Sequence, residues 1–326
     1  MFSLKKEYIL KYKIFTICIL TGLFIPLLAL VSCNPKPEKT EGVKLGAKLK
    51  ANIPDPRKQD PPKPGGGATD PNGEVIDPNG EVIDPNGGAA DQQDEAAKQT
   101  IINDLTPLII PSIKRNINTH NNATWNEGTQ NYNISGATQF FGAIQYTDAK
   151  KQKKLYNTQD DESKTARREM YLGFGYDDLA IEAFGKLASK MAATKNVQME
   201  TELENMVDKI RQYARAYYLI AFNTLINKKD KLMELALSDL QILKARFDAI
   251  HTTKSTISYN FTNSISNDYN LNIEVGTADP KHTLQDNATA EEIQDYLKDK
   301  FTPAESDFDT IINEATKITG ILNKIQ

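Results

Sequence analysis

The chain has 326 residues, 39 basic against 43 acidic, a net charge of −4 and a mean hydropathy of −0.50. So modest an acidic balance speaks against nucleic acid as a partner. Two cysteines, Cys18 and Cys33, exclude a disulfide-stapled scaffold, so a hydrophobic core must hold the fold.

Residues 1–32 read as an export signal. Lys5, Lys6, Lys11 and Lys13 against Glu7 make a basic start, and the 18 residues Ile14 to Val31 carry no charge. Leu30-Val31-Ser32-Cys33 then has the form of a bacterial lipobox, in which the cysteine thiol is acylated and its amino group is freed by cleavage. The alternative is an uncleaved membrane-spanning anchor, for which 18 residues is near the lower length limit. The polar Asn34-Pro35-Lys36-Pro37 directly after Cys33 favours lipidation. Several acyl chains make a stable anchor where one binds only marginally. Residues 1–32 are therefore set aside from the fold. Their removal takes away a net +3 and leaves −7. Cys18 goes with them, and Cys33 is used for lipid, so an exported, membrane-anchored lipoprotein is expected.

Residues 33–91 are expected to be a tether. Asp70-Pro71-Asn72-Gly73-Glu74-Val75-Ile76 repeats as Asp77 to Ile83, and a third copy begins at Asp84 and dissolves after Gly87. Asp-Pro-Asn-Gly is turn chemistry. A unit whose only large apolar residues are Val and Ile cannot bury enough surface to offset its ordering entropy. Asp-x-Asn-x-Glu faintly resembles a calcium loop but has Val75 or Val82 where the loop needs Gly at its sixth position. Pro and Gly in every unit rule out a coiled coil. Charge is split along the tether. Residues 34–64 hold eight basic and four acidic residues, and 65–95 hold eight acids and no base. The basic half either rests on anionic headgroups or is simply solvated. The flexible reach is on the order of 45 Å.

Residues 92–326 read as one all-α domain, a bundle of about five to seven helices. A first helix over 93–118 is interrupted by Pro107 and Pro111. The polar stretch 119–155 is a long loop or holds a short helix near Ala137 to Tyr146. Leu179 to Met191 makes a shorter amphipathic helix. Apolar residues then recur at spacings of three and four through Leu203, Met206, Val207, Ile210, Tyr213, Ala214, Tyr217, Ala221 and Leu225. After a break at Lys228-Lys229-Asp230 the same spacing runs through Leu232, Ala236, Leu240, Leu243, Phe247 and Ile250. Each set is a stripe on one helix face. Residues 252–286 continue that helix and end in a polar loop closed by Asp279-Pro280. Thr289 and Thr302 each open a capping box, the second with Pro303 at the first helical position. A last stripe runs through Phe308, Ile311, Ala315, Ile318, Leu322 and Ile325.

No chemical constellation stands out, and we expect no enzyme, cofactor or metal. His120, His251 and His282 share no helix at ligand spacing. His251 reads as a surface residue near a helix C-terminus, complementing its dipole. The acid runs Asp160-Asp161-Glu162 and Glu202-Leu203-Glu204 read as solvated helix surface rather than paired catalytic carboxylates. Tyr213, Tyr217 and Tyr218 form either a ligand slot or, better, core packing with one hydroxyl at solvent. The single Trp125 packs the polar stretch onto the bundle or is an exposed contact residue.

Tyr156-Asn157-Thr158, Arg167-Arg168, Tyr171-Leu172-Gly173-Phe174-Gly175-Tyr176-Asp177 and Ile181-Glu182-Ala183-Phe184-Gly185-Lys186-Leu187 resemble a recurring segment of the plasmid-encoded surface lipoproteins of Lyme-disease Borrelia. This family includes the complement regulator-acquiring surface protein CspA, and the resemblance spans about 95–326. It implies a helical bundle on the outer surface. It also implies binding of host proteins, in some members complement regulators such as factor H, with immune evasion as the use. No binding residue carries over. CspA dimerises through an extended C-terminal helix, whereas here the last helix stops at Gln326 and contains Gly320, which costs about 1 kcal/mol in a helix interior. A monomer is therefore expected. The functional expectation is a non-enzymatic surface protein, attached to the membrane through its N-terminal lipid, that binds a host protein. The alternative is a structural or small-ligand-holding bundle without such a partner.

Overall fold

The computed structural model describes residues 87–326, so the export signal, Cys33 and the DPNGEVI repeats lie outside the described residues. Among the described residues the chain forms helical rods with two small hairpins and no larger sheet. The rods are α1 (Gly87–Leu105), α2 (Pro111–Asn121), the single turn α3 (Phe140–Ala143), α4 (Asp161–Gly173), α5 (Asp178–Ala192), α6 (Val197–Ala214), α7 (Asn223–Lys228), α8 (Leu237–Ile257), α9 (Asn263–Leu271) and α10 (Ala290–Leu322). The π-helical turns Arg215–Phe222 and Ser258–Thr262 join α6 to α7 and α8 to α9 without leaving helical dihedrals. Joined in this way, the segments amount to seven rods plus α3, an all-α bundle as expected.

Local chemistry explains the boundaries. Pro107 and Pro111 each open a helical segment, because the amide a proline lacks has no helical partner there. Asp160, Asp177 and Asn196 cap α4, α5 and α6 by accepting first-turn amides. Thr289 and Glu292 complete a reciprocal capping box on α10.

α10 is the axis of the bundle and packs on α8, on α6 with its π-turn, and on α5. Ile311, Ile318 and Leu322 are fully buried and Ile325 is 2% exposed, so the last apolar stripe lies within the chain's own core. Tyr213, Phe308, Phe261 and Phe184 continue that core as a chain of ring contacts 5.1–6.5 Å apart.

Three expectations are corrected, and one stripe is wider than its spacing alone implies. Thr302 caps nothing, because α10 runs unbroken through Pro303. Thr302 and Pro303 face solvent, and so does Asp299, whose carbonyl the missing amide leaves free for water. Ala236 is exposed and Leu235 buried, because the 3₁₀ turn Lys229–Glu234 ends in extended backbone and resets the phase before α8. The π-turn in the α6 rod inserts an extra residue and widens its buried face, bringing Tyr218 and Phe222 inside with Tyr217 and Ala221. His251 lies mid-rod, because the π-turn carries α8 on into α9. There is then no helix end for it to complement.

The polar stretch folds. After the turn Glu127–Thr129 and α3, strands β1 (Gln145–Thr147) and β2 (Lys153–Leu155) pair antiparallel with Tyr146 opposite Lys154. A second hairpin, β3 (Glu274–Val275) with β4 (His282–Thr283), spans the Asp279-Pro280 loop. No described helix is long and apolar enough to cross a membrane.

Candidate functional site

The structure disperses the titratable residues considered for chemistry. His120 ends α2, half-buried, with its Nδ1 3.5 Å from the Tyr176 hydroxyl. Burial, the largest influence, pulls its pKa below the ordinary 6.5. His282 holds Glu292 at 2.8 Å beside the α10 cap. Asp160 caps α4, and hydrogen bonds from Thr158 and Ser163 hold its carboxyl far below the usual range. Glu162 accepts the Ala149 amide at 2.8 Å and pairs with Lys154 at 2.9 Å. Glu204 ties the β1/β2 hairpin to α6 through the Gln145 amide and Lys153, at 2.8 and 2.7 Å. Glu202 meets Gln294 of α10 at 2.6 Å. These acids fasten elements together and do not pair with one another. Tyr213, Tyr217 and Tyr218 are all core residues at 2% exposure or less, so none has a hydroxyl at solvent. Among the described residues no three His, Cys, Asp or Glu converge on a metal position.

What the tertiary fold brings together instead is a polar shoulder. Residues 123–139 lie over α4, held by Arg167, whose side chain is 3% exposed. Its Nε donates to both oxygens of Glu127, at 2.8 and 3.1 Å, and its Nη1 to the carbonyls of Tyr156 and Thr158. Glu127 also accepts from the Tyr171 hydroxyl at 2.5 Å and from Ser135 at 2.8 Å. Burial drives the Tyr171 hydroxyl well above its ordinary pKa, so it remains a donor. The Tyr132 ring lies tilted against Tyr171, 4.9 Å away, and its hydroxyl donates to Asp178 at 3.1 Å. A second buried pair, Arg211 with Glu169 at 2.8 Å, sits behind this layer, with Tyr156 3.0 Å from Arg211.

Trp125 is half-buried and packs the loop, with Tyr176 and Tyr171 at 5.4 and 6.0 Å. The Arg168 guanidinium lies 5.1 Å over its ring and donates through Nη2 to the carbonyls of Thr119 and Asn122. Arg168 Nε is buried without a hydrogen-bond partner. Between the loop and α4 opens a cleft of about 980 Å³, bordered by Trp125, Gln139, Gln159, Lys164, Thr165 and Arg168. Its rim carries exposed Asn126, Asn131 and Asn133. Rigid aromatic and arginine anchors framed by adaptable uncharged polar groups are the composition of a recognition surface. Sequence reading missed Glu127, Tyr132 and the cleft. Glu127 meets Arg167 across 40 positions, and no periodic signal spans that interval. Arg167-Arg168, charges inside an amphipathic helix, were the one visible trace.

The fold is thus an all-α bundle bearing a loop-built polar shoulder. Residues 121–323 match the family described as Borrelia Bbcrasp-1 domain containing protein, and the chain belongs to that family. Among solved structures it is similar to outer surface protein BBA66 of Borrelia burgdorferi, at 13% identity over 70% of this chain and 99% of that one, with a TM-score of 0.45. It is also similar to the B. burgdorferi outer surface lipoprotein BBA64, at 18% identity over 74% and 100% and a TM-score of 0.45. The Borrelia spielmanii orthologue of BBA64 is similar at 17% identity over 75% and 100%, with a TM-score of 0.43. No curated protein matches the sequence.

Proposed function

We propose that the chain is a lipoprotein of the Borrelia outer surface, acylated at Cys33, that binds a host protein through the shoulder above α4. The observation that carries the binding role is the cleft, a loop-built depression with an arginine–tryptophan anchor on a rigid helical base. Loops positioned by such a scaffold are where binding residues concentrate. The anchoring rests on Leu30-Val31-Ser32-Cys33 and the polar tether behind it. Surface location rests on that signal together with membership of the Borrelia family. Complement components or regulators are the host-protein class that the resemblance at Tyr156 to Phe184 implies. The role is recognition rather than catalysis, in keeping with titratable groups that fasten structure.

The chain acts as a monomer, since the α10 stripe that could seat a second copy is spent on its own core. Sedimentation of the full chain as a dimer would contradict this. For the binding role, the full chain is immobilised and exposed to host serum, and retained proteins are identified by mass spectrometry. A specific protein is expected, reduced by Trp125→Ala. Retention of nothing beyond the blank surface refutes the role. For the anchor, Cys33→Ala should abolish incorporation of radiolabelled palmitate and release the protein from the detergent phase. Unchanged incorporation refutes lipidation at Cys33.

A further inference from the structure

Charge is distributed unevenly around the shoulder. Arg167 is neutralised by Glu127. Lys164 has only the fully exposed Asp161, at 3.4 Å. Arg168 has no carboxylate within ion-pair distance among the described residues, and its Nε is one of several buried polar atoms without a hydrogen-bond partner. A guanidinium with no paired carboxylate leaves its charge available to a ligand carboxylate. A second depression of about 510 Å³ adjoins the first along α2 and is lined by Ile109, Pro111, Lys114, Arg115 and Asn118. No acidic residue lines it, and neither Lys114 nor Arg115 has an ion-pair partner among the described residues. Asn122 lines one depression and its chain neighbour Ala123 the other, and Arg168 Nη2 holds the Asn122 carbonyl. Together the two depressions, on a chain that is acidic overall, are lined by Lys114, Arg115, Lys164 and Arg168, with Asp161 and the paired Glu127 as the only acids in their linings.

We propose that these two depressions take an acidic segment of the partner protein, with one carboxylate seated in the cleft against Arg168 and Trp125 and neighbouring acids lying along Lys114 and Arg115. The proposal deepens the host-binding reading and rests on it for the identity of the partner as a protein. Arginine suits this position because its planar fork can keep the Thr119 and Asn122 carbonyls on Nη2 while Nη1 remains to meet a carboxylate. The indole beneath the guanidinium shields the pair from water, which strengthens it relative to a bare surface contact.

The test uses the full chain and a fluorescein-labelled hexaglutamate peptide, with hexaglutamine and inorganic phosphate as comparators. Hexaglutamate is expected to bind at low salt and to weaken as salt rises. Hexaglutamine is expected not to bind. Phosphate at equal concentration is expected not to displace the peptide, since a free anion reaches Arg168 but not the α2 cations. Thr165 is exposed and lines the cleft one turn before Arg168. Thr165→Glu places a carboxylate of the chain itself beside that guanidinium. It should weaken hexaglutamate by roughly tenfold or more, the scale of a lost charge-assisted pair, with the melting temperature unchanged. Thr316→Glu makes the same charge change on the exposed face of α10 and should leave binding intact. Equal losses in the two variants, no loss in Thr165→Glu, hexaglutamine binding as well as hexaglutamate, or full displacement by equal phosphate would each overturn the proposal. Serum capture run in parallel separates the two readings. Capture without hexaglutamate binding overturns the acidic segment and leaves host binding standing. Hexaglutamate binding without any capture overturns host binding.

Discussion

The bundle around α10 and the shoulder over α4 are stabilised by different physics. Around α10, burial is apolar and repeats every turn: Phe308, Ile311, Ala315, Ile318 and Leu322 are all fully buried. In the shoulder the backbone is mostly irregular, and its order comes from a few polar side chains reaching across long stretches of sequence. Arg167 spans to Glu127, Arg168 to Thr119, and Arg211 to Glu169. The lesson is one of redundancy. Removing one apolar residue from a stripe leaves its neighbours, whereas removing one arginine from the shoulder strands partners that nothing else can satisfy.

Ile318→Asp attacks the bundle where that redundancy is greatest and should still be the most damaging change. It buries a charge with no partner and should lower stability by several kcal/mol, roughly 4 or more. Thermal melting reads it; a folded mutant with an unchanged melting temperature would place α10 outside the core. Arg167→Ala should cost about 3 kcal/mol, the low end for breaking a buried pair, because Glu127 keeps 22% exposure. Its signature is local. Amide exchange should accelerate in 123–139 while α10 stays protected, and uniform acceleration would show that the shoulder and bundle unfold as one.

Thr289→Ala removes the first half of the α10 capping box and should cost about 1 kcal/mol. The loss belongs to the bundle and should spare exchange in the shoulder. Gly320→Ala should stabilise by about 0.5–1 kcal/mol, since the added methyl meets nothing within 4 Å and the unfolded chain loses freedom. A lower melting temperature would mean that this exposed point of α10 is in contact with something in solution.

The smallest effect is a pH dependence confined to the shoulder. Burial lowers the His120 pKa below 6.5, so the folded state favours the neutral ring and the unfolded chain takes the proton first. Stability is then complete above about 6.5 and falls as pH drops from there toward the lowered value. Shoulder amides should exchange faster at pH 5.5 than at pH 7 after correction for intrinsic rates. His120→Gln should flatten the difference.

The sequence by itself determined the class of fold and the seam of α10. Spacing of three and four in Leu203 to Tyr213, in Leu240 to Ile250 and in Phe308 to Ile325 is a local property, set by 3.6 residues per turn and the need to bury one face. Caps at Thr289 and prolines at Pro107 and Pro111 were legible for the same reason, because each acts on amides within four residues. Pro303 shows the limit of local reading, since a sound start signal lost to the packing of Phe301, Ala304 and Phe308 on one uninterrupted face. The π-turns, the hairpins and the cleft were decided only by the tertiary structure. Glu127, Arg167 and Tyr171 become neighbours through the path of the intervening chain. That path is fixed by the summed burial of the whole bundle and leaves no periodic trace in the residues themselves.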